Sequence, residues 1–269
     1  MREGKGPRVN AVHRGLQILE LLAEQKKGWS TSDISRRLKI PKSTTSYLLH
    51  TLLARGYLRR EENGNYRLSM KMLALGSQTL HNVEARDVAL PILRRLVAET
   101  HITGHLAVLE GAEAIYIERV PSPGFIQIDT WVGRRMPLHS TSSGKALLAF
   151  LPDEQAEVLL RTVGLPRSTP KTVVSLPRLK QELKRVRETG FALDNEENTV
   201  GVRCVAAPIF DRHRRVAAAV SLTGPVQQIT DDQLPKIADK VREAARQMTL
   251  ALGGSLPDIS SPPPSGQAL

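Results

Sequence analysis

Between Ser30 and Leu68 the chain reads STSDISRRLKIPKSTTSYLLHTLLARGYLRREENGNYRL, and few folds accommodate that order of signals. Ser30 is a capping residue with Asp33 in the capping-box position, and Ile34 and Leu38 form an apolar i, i+4 pair, so a short helix is expected here. Lys39-Ile40-Pro41 makes a tight turn, and Pro41 suits the start of a second helix because its missing N–H costs nothing there. In that helix Thr45, Leu48, Leu49 and Leu52 recur on one stripe and should pack inward. Lys42 then sits at the helix start, and Ser43, Thr44, Tyr47 and His50 lie on the opposite face, a set able to bond base edges and phosphates. Leu58 to Glu61 and Asn65 to Leu68 read as strands closed by Asn63-Gly64, a strong tight-turn signal. Helix, turn, helix and hairpin together make a winged helix-turn-helix.

Charge follows the same boundary. Residues 1 to 69 hold 14 Lys+Arg against 6 Asp+Glu, while the remaining 200 hold 24 against 21, so +8 of the net +11 lies in the first quarter of the chain. Arg59, Arg60 and Arg67 sit on the hairpin. Taken singly they fit an ordinary solvated surface; as a set beside a polar helix face they are expected to contact phosphate or the minor groove.

A chain of 269 residues, 41% hydrophobic and 24% charged, is long enough for two globular domains. Its one cysteine, Cys204, cannot form an internal disulfide, no apolar run approaches the roughly 20 residues that span a bilayer, and no leader segment is evident, so a cytoplasmic protein without a membrane anchor is expected. Val12, Leu16, Leu19 and Leu22 predict a support helix near residues 10 to 24. Beyond the hairpin, helices are expected over Ser69 to His81 and Asp87 to Thr100, the latter with Pro91 near its first turn. Strands follow at His105 to Leu109, Ala114 to Val120 and Phe125 to Val132. Further helices are expected at Ser142 to Phe150, Asp153 to Val163 and Ser175 to Thr189. Strands at Val202 to Phe210 and Val216 to Thr223, then a helix capped by Thr230 and running to Leu252, complete the pattern. This uneven alternation predicts an α+β fold with a mainly antiparallel sheet. SPPPSG marks the segment from Gly253 as a disordered tail.

Three segments, PKSTTSYLLHTLLARGYL, LHSTSSGKALLAFLP (Leu138 to Pro152) and ALDNEENTVGVRCVAAPIFD (Ala192 to Asp211), resemble the IclR family of transcriptional regulators. The resemblance spans most of residues 8 to 252. It implies a DNA-binding domain at 1–69, a linker helix at 70–86, a GAF-like effector-binding and oligomerisation domain at 87–252 and a tail at 253–269. It also implies a homodimer or tetramer on double-stranded DNA, and a small effector, often an organic acid or aromatic carboxylate. Thr45 departs from the pattern: the family usually has an apolar β-branched residue there, so a buried hydroxyl could lower local stability. Repressor and activator are both compatible with these residues.

Ser142, Ser143 and Gly144 open a helix whose N–H groups and dipole would suit a carboxylate. The resemblance adds Asp194, Cys204, Ser221, Leu222 and Thr223 as lining residues, with Asp194 choosing a ligand N–H or O–H. Lys145 lacks the flanking residues of a P-loop and reads as a surface or supporting lysine. His101 and His105 have i, i+4 spacing, but Thr103-Gly104 break the shared face and no third ligand is convincing, so neither a metal nor a cofactor is expected. A GAF-like redox enzyme using Cys204 is the alternative class. It lacks a second cysteine, and no histidine in its segment lowers the thiol pKa.

Overall fold

The computed structural model describes residues 9–25, 27–81, 84–123 and 128–256, and the chain divides into two compact units meeting at Asn82 and Val83. In the first unit α1 spans Asn10–Ala23, α2 Thr31–Leu38 and α3 Lys42–Ala54. The hairpin strands are β1 Leu58–Arg60 and β2 Tyr66–Leu68, and α4 follows at Met70–His81. Ser30 caps α2 as expected, accepting the Asp33 N–H and donating its hydroxyl to the Asp33 carboxylate. Lys39 takes the left-handed turn between the helices at φ 54°, and Pro41 occupies the N-cap of α3 rather than its first turn. Ile18, Leu21, Leu22, Ile34, Leu49 and Leu58 form the core of this unit.

Two local expectations are corrected. On α1 the buried set is Ile18, Leu21 and Leu22, while Val12 and Leu16 are more than half exposed, so the apolar stripe read from the sequence straddles two faces. The Thr45 hydroxyl is fully buried but satisfied by the Pro41 carbonyl at 3.1 Å, which removes the cost of burying it unpaired.

In the second unit α5 is Glu84–Thr100, β3 Thr103–Glu110, β4 Glu113–Val120 and β5 Arg135–Pro137. Then come α6 Ser142–Leu148, α7 Asp153–Val163, α8 Leu176–Thr189 and β6 Ala192–Asn195. The unit ends with β7 Val202–Phe210, β8 Val216–Pro225 and α9 Leu234–Ala251. All sheet pairings are antiparallel, in the order β5-β4-β3-β8-β7-β6. Helices α5 and α9 pack against the sheet, and α6 with α8 shares a core with Ala107, Ala192, Ala206 and Ala219. The interior strands β7 and β8 are buried along nearly their whole length, which is why they read as continuous runs of small and apolar residues.

Several boundaries moved. Of the strand expected at Phe125 to Val132, residues 125–127 lie outside the described residues and 128–132 are irregular; the sheet is instead extended by β5 after a turn at Gly133, whose N–H bonds the Tyr116 carbonyl. Pro91 lies inside α5, which begins three residues earlier than expected. Thr230 opens a turn rather than capping α9, its carbonyl accepting from Gln233 and Leu234. Gly253 and Gly254 close α9, the Gly254 N–H reaching the Thr249 carbonyl at 2.8 Å, and the expected tail from 257 onward lies outside the described residues. Residues 82 and 83 of the expected linker do so as well.

Candidate DNA-reading face and effector cavity

Helix α3 presents Lys42, Ser43, Tyr47 and His50 outward, with Tyr47 78% exposed and Thr44 half-buried. An exposed tyrosine of that degree on a helix whose other face buries Thr45 and Leu49 is available to a partner rather than needed by the core. The wing arginines do not act as one set. Register pairs Arg59 with Arg67 directly across the hairpin, and both lie near Glu61, at 3.2 and 3.6 Å, so one carboxylate offsets two like charges that would otherwise repel. Arg60 alternates to the other face and stands over the Tyr66 ring. Trp29 adds a bridge to Tyr66 outside the named strands, and Gly28 at φ +69° permits the approach, since a Cβ there would meet the Tyr66 carbonyl oxygen at 2.7 Å.

In the second unit a cavity of about 380 Å³ opens between the β4–β5 connection, the start of α6 and the β6 edge. Asp194, Cys204 and Thr223 stand in one row, because β6 pairs Asp194 with Cys204 and β7 pairs Cys204 with Thr223. These three and Ser142 line the cavity. The other four expected residues do not. Ser143 donates to the Ser221 hydroxyl at 3.1 Å, both side chains being fully buried. Leu222 alternates to the opposite face of the sheet, in register with Val205 and Gly104, where Leu93 and Val97 of α5 approach. Gly144 is wedged against the backbone of Leu138, and its N–H is taken by the Thr141 hydroxyl at 3.1 Å. Thr141, not a ligand, therefore caps α6.

Sequence reasoning missed much of the remaining wall: Tyr116, Thr130, Trp131, Arg134, Met136 and Asn198. Tyr116 and Met136 could have been found from strand alternation, but Trp131 and Arg134 lie in irregular chain and carry no periodic signal. Arg134 stands over the Trp131 ring, 4.9 Å from its centre, and brings a cation to a wall that also holds Asp129 and Asp194.

Burial dominates the electrostatics. Asp194 is 2% exposed, and although its Oδ1 accepts the Glu197 and Asn198 N–H groups, desolvation lifts its carboxyl to about 7. The same cause pushes the Cys204 thiol well above its ordinary range, helped by the neighbouring Asp194 charge, and raises the Tyr116 hydroxyl. His105 stacks on Tyr116, meets Thr130 at 2.7 Å, and is driven down to about 3 by burial and by Arg119, so it stays neutral. A thiol held protonated this way is a poor nucleophile. Among the described residues no group of three or more His, Cys, Asp or Glu could hold a metal ion.

Of the two roles open to Lys145, surface or supporting, the structure gives the supporting one: it is 2% exposed, with Nζ 2.6 Å from Glu197 and 3.0 Å from Glu182. The end of β6 and the turn after it thus face two ways, with Asp194 and Asn198 toward the cavity and Glu197 toward Lys145.

A winged reading head joined to an antiparallel sensor domain with a cavity that mixes polar and apolar walls defines a class of ligand-responsive DNA-binding proteins. The chain belongs to the IclR family of transcriptional regulators: residues 11–62 match the IclR helix-turn-helix domain and 77–250 the bacterial transcriptional regulator IclR C-terminal domain. It is 36% identical over 249 residues to the transcriptional repressor IclR of Escherichia coli, covering 91% of each chain. The structure is similar to the IclR of Thermotoga maritima, with TM-score 0.79, 30% identity and coverage of 91% of this chain and 100% of that one. It is also similar to an IclR homologue from Microbacterium hydrocarbonoxydans complexed with 4-hydroxybenzoate, with TM-score 0.78, 29% identity and coverage of 91% and 100%. A thiol-dependent redox enzyme finds no support among these relatives.

Proposed function

We propose that the chain represses or activates transcription under control of a small organic acid or aromatic carboxylate that enters the cavity of the second unit. The observation that carries this reading is the row Asp194–Cys204–Thr223 beside Ser142, in a cavity whose apolar wall includes Met136 and Val202 and whose cation is Arg134. Arg134 and the Ser142 and Thr223 hydroxyls suit a carboxylate, Asp194 suits a ligand hydroxyl, and about 380 Å³ suits a ligand of one ring. The homologue holding 4-hydroxybenzoate supports that class. Cys204 is a wall residue, not a nucleophile, and Ser143, Gly144, Ser221 and Leu222 support the wall from behind.

In this reading Lys42, Ser43, Thr44, Tyr47 and His50 meet the major groove, Arg59 and Arg67 hold phosphates, and Arg60 contributes from the other face of the wing. The protein works in the cytoplasm as a homodimer or tetramer. Val9, Val12 and Leu16 on and beside α1, and Met70 and Leu73 on α4, are all more than half exposed, an apolar surface suited to self-association. No helix among the described residues is long and apolar enough to cross a membrane.

The test is a thermal-shift screen of the full chain against small organic acids, including 4-hydroxybenzoate. A ligand at about 100 times its Kd adds about 2.7 kcal/mol of stability. At least one acid is expected to raise Tm in the wild type and to lose that effect in Ser142→Ala/Thr223→Val. A shift unchanged in the double variant refutes the site.

A further inference from the structure

A second cleft, of about 610 Å³, lies on the other side of the turn after β6, between β6, α8 and residues 167–175. Its base is the buried pair Lys145 and Glu197. Glu197 Oε1 accepts from Lys145 Nζ, while its Oε2, buried as well, takes no hydrogen bond among the described residues. A buried carboxylate oxygen without a donor is costly, and an incoming O–H or N–H would relieve it. The wall is held firmly: Thr172 and Thr169 donate their hydroxyls to the Glu197 carbonyl at 2.6 and 3.2 Å. At the rim the guanidinium groups of Arg167 and Arg185 are exposed and have no carboxylate partner within 4.0 Å among the described residues, the Arg167 group reaching only the Pro170 carbonyl.

We propose that this cleft is a second ligand site, distinct from the cavity beside Cys204, and that it takes a small anion bearing hydroxyl groups. Its carboxylate or phosphate meets Arg167 and Arg185, and one hydroxyl donates to Glu197 Oε2. Charge at the mouth draws the anion in, and the unpartnered acceptor at the base selects for the hydroxyl over a plain anion. Ser175 and Asn195 add polar contacts along the sides.

The experiment is isothermal titration of the full chain with D-gluconate, beside sorbitol as the uncharged polyol and acetate as the anion without hydroxyls. Gluconate is expected to bind and both controls to bind at least roughly tenfold more weakly. Arg167→Glu/Arg185→Glu, on exposed positions that leave the core alone, is expected to weaken gluconate at least roughly tenfold. Arg212→Glu/Arg214→Glu, the same charge change on the exposed β7–β8 turn, is expected to leave it within about twofold. The proposal is overturned by an absence of gluconate binding at millimolar concentration, by equal binding of either control, or by equal losses in the two charge-reversal pairs. Loss on Thr223→Val with binding retained in Arg167→Glu/Arg185→Glu would put the anion in the first cavity and overturn it too.

Discussion

Replacing Asp194 with asparagine isolates the energetic signature of the cavity, because the side chain keeps its shape and its acceptor for the Glu197 and Asn198 N–H groups but loses its charge. In the folded chain burial lifts this carboxyl from 3.8 to about 7. Between about pH 4 and pH 7 the folded state therefore keeps a proton that the unfolded chain has already released near 3.8. Wild-type stability should fall with rising pH across that window and level off above it. A gap of about three pH units at about 1.4 kcal/mol each sets a ceiling near 4 kcal/mol. For a unit of this size 1 kcal/mol moves Tm by about 2–4 °C, so the gain of Asp194→Asn over wild type should grow by roughly 5–15 °C between pH 4 and pH 8. Thermal unfolding of both proteins in a pH series measures it. Other titrating groups, Glu197 among them, are present in both proteins and largely cancel in the difference. A difference independent of pH would refute the assignment of a protonated, desolvated Asp194.

Other variants test the buried Lys145–Glu197 pair, the tight approach at Gly144 and the DNA-reading face. Lys145→Met leaves Glu197 buried without its cation and should destabilise the protein by about 3–5 kcal/mol at neutral pH, while Lys145→Met/Glu197→Leu should recover most of that in denaturant unfolding. A Cβ at Gly144 would stand 2.5 Å from the Leu138 Cα and carbonyl oxygen, so Gly144→Ala should cost at least about 2 kcal/mol in the same measurement. On the wing, Arg59→Ala should weaken binding alike on all duplexes whereas Glu61→Gln, which frees both Arg59 and Arg67, should tighten it and steepen its salt dependence; Tyr47→Ala should instead change the ranking of duplex sequences in gel shifts.

What was legible in the sequence divides by physical range. The Ser30 cap, the turn at Lys39 and the buried stripe of α3 depend on neighbours within a few residues, and periodicity and capping chemistry reported them correctly. The strand β6 is only ALDN, too short and polar to signal itself, and it exists because β7 supplies a partner. The sequence leaves Lys145 between a surface and a supporting role for the same reason: Glu182 and Glu197, which make its burial tolerable, lie 37 and 52 residues away. Ser221, Leu222 and Thr223 were grouped by resemblance, yet the two-residue period of β8 sends Leu222 to the other face, and of the remaining two only Thr223 lines the cavity. The sequence leaves the helix start at Ser142 open to a carboxylate, whereas in the fold the Thr141 hydroxyl takes the Gly144 N–H there.

If a ligand in the cavity beside Asp194, Cys204 and Thr223 controls DNA affinity, its binding must change the affinity of the full chain for a duplex. The direct measurement is fluorescence anisotropy of a labelled duplex, selected by the full chain from a random pool, titrated with and without an acid that raises Tm. The acid should shift the Kd for that duplex in the wild type and leave it unchanged in Ser142→Ala/Thr223→Val, while both proteins bind the duplex equally without ligand. An acid that stabilises the protein with no effect on duplex affinity, or one whose effect persists undiminished in the double variant, would show that this cavity does not control DNA binding.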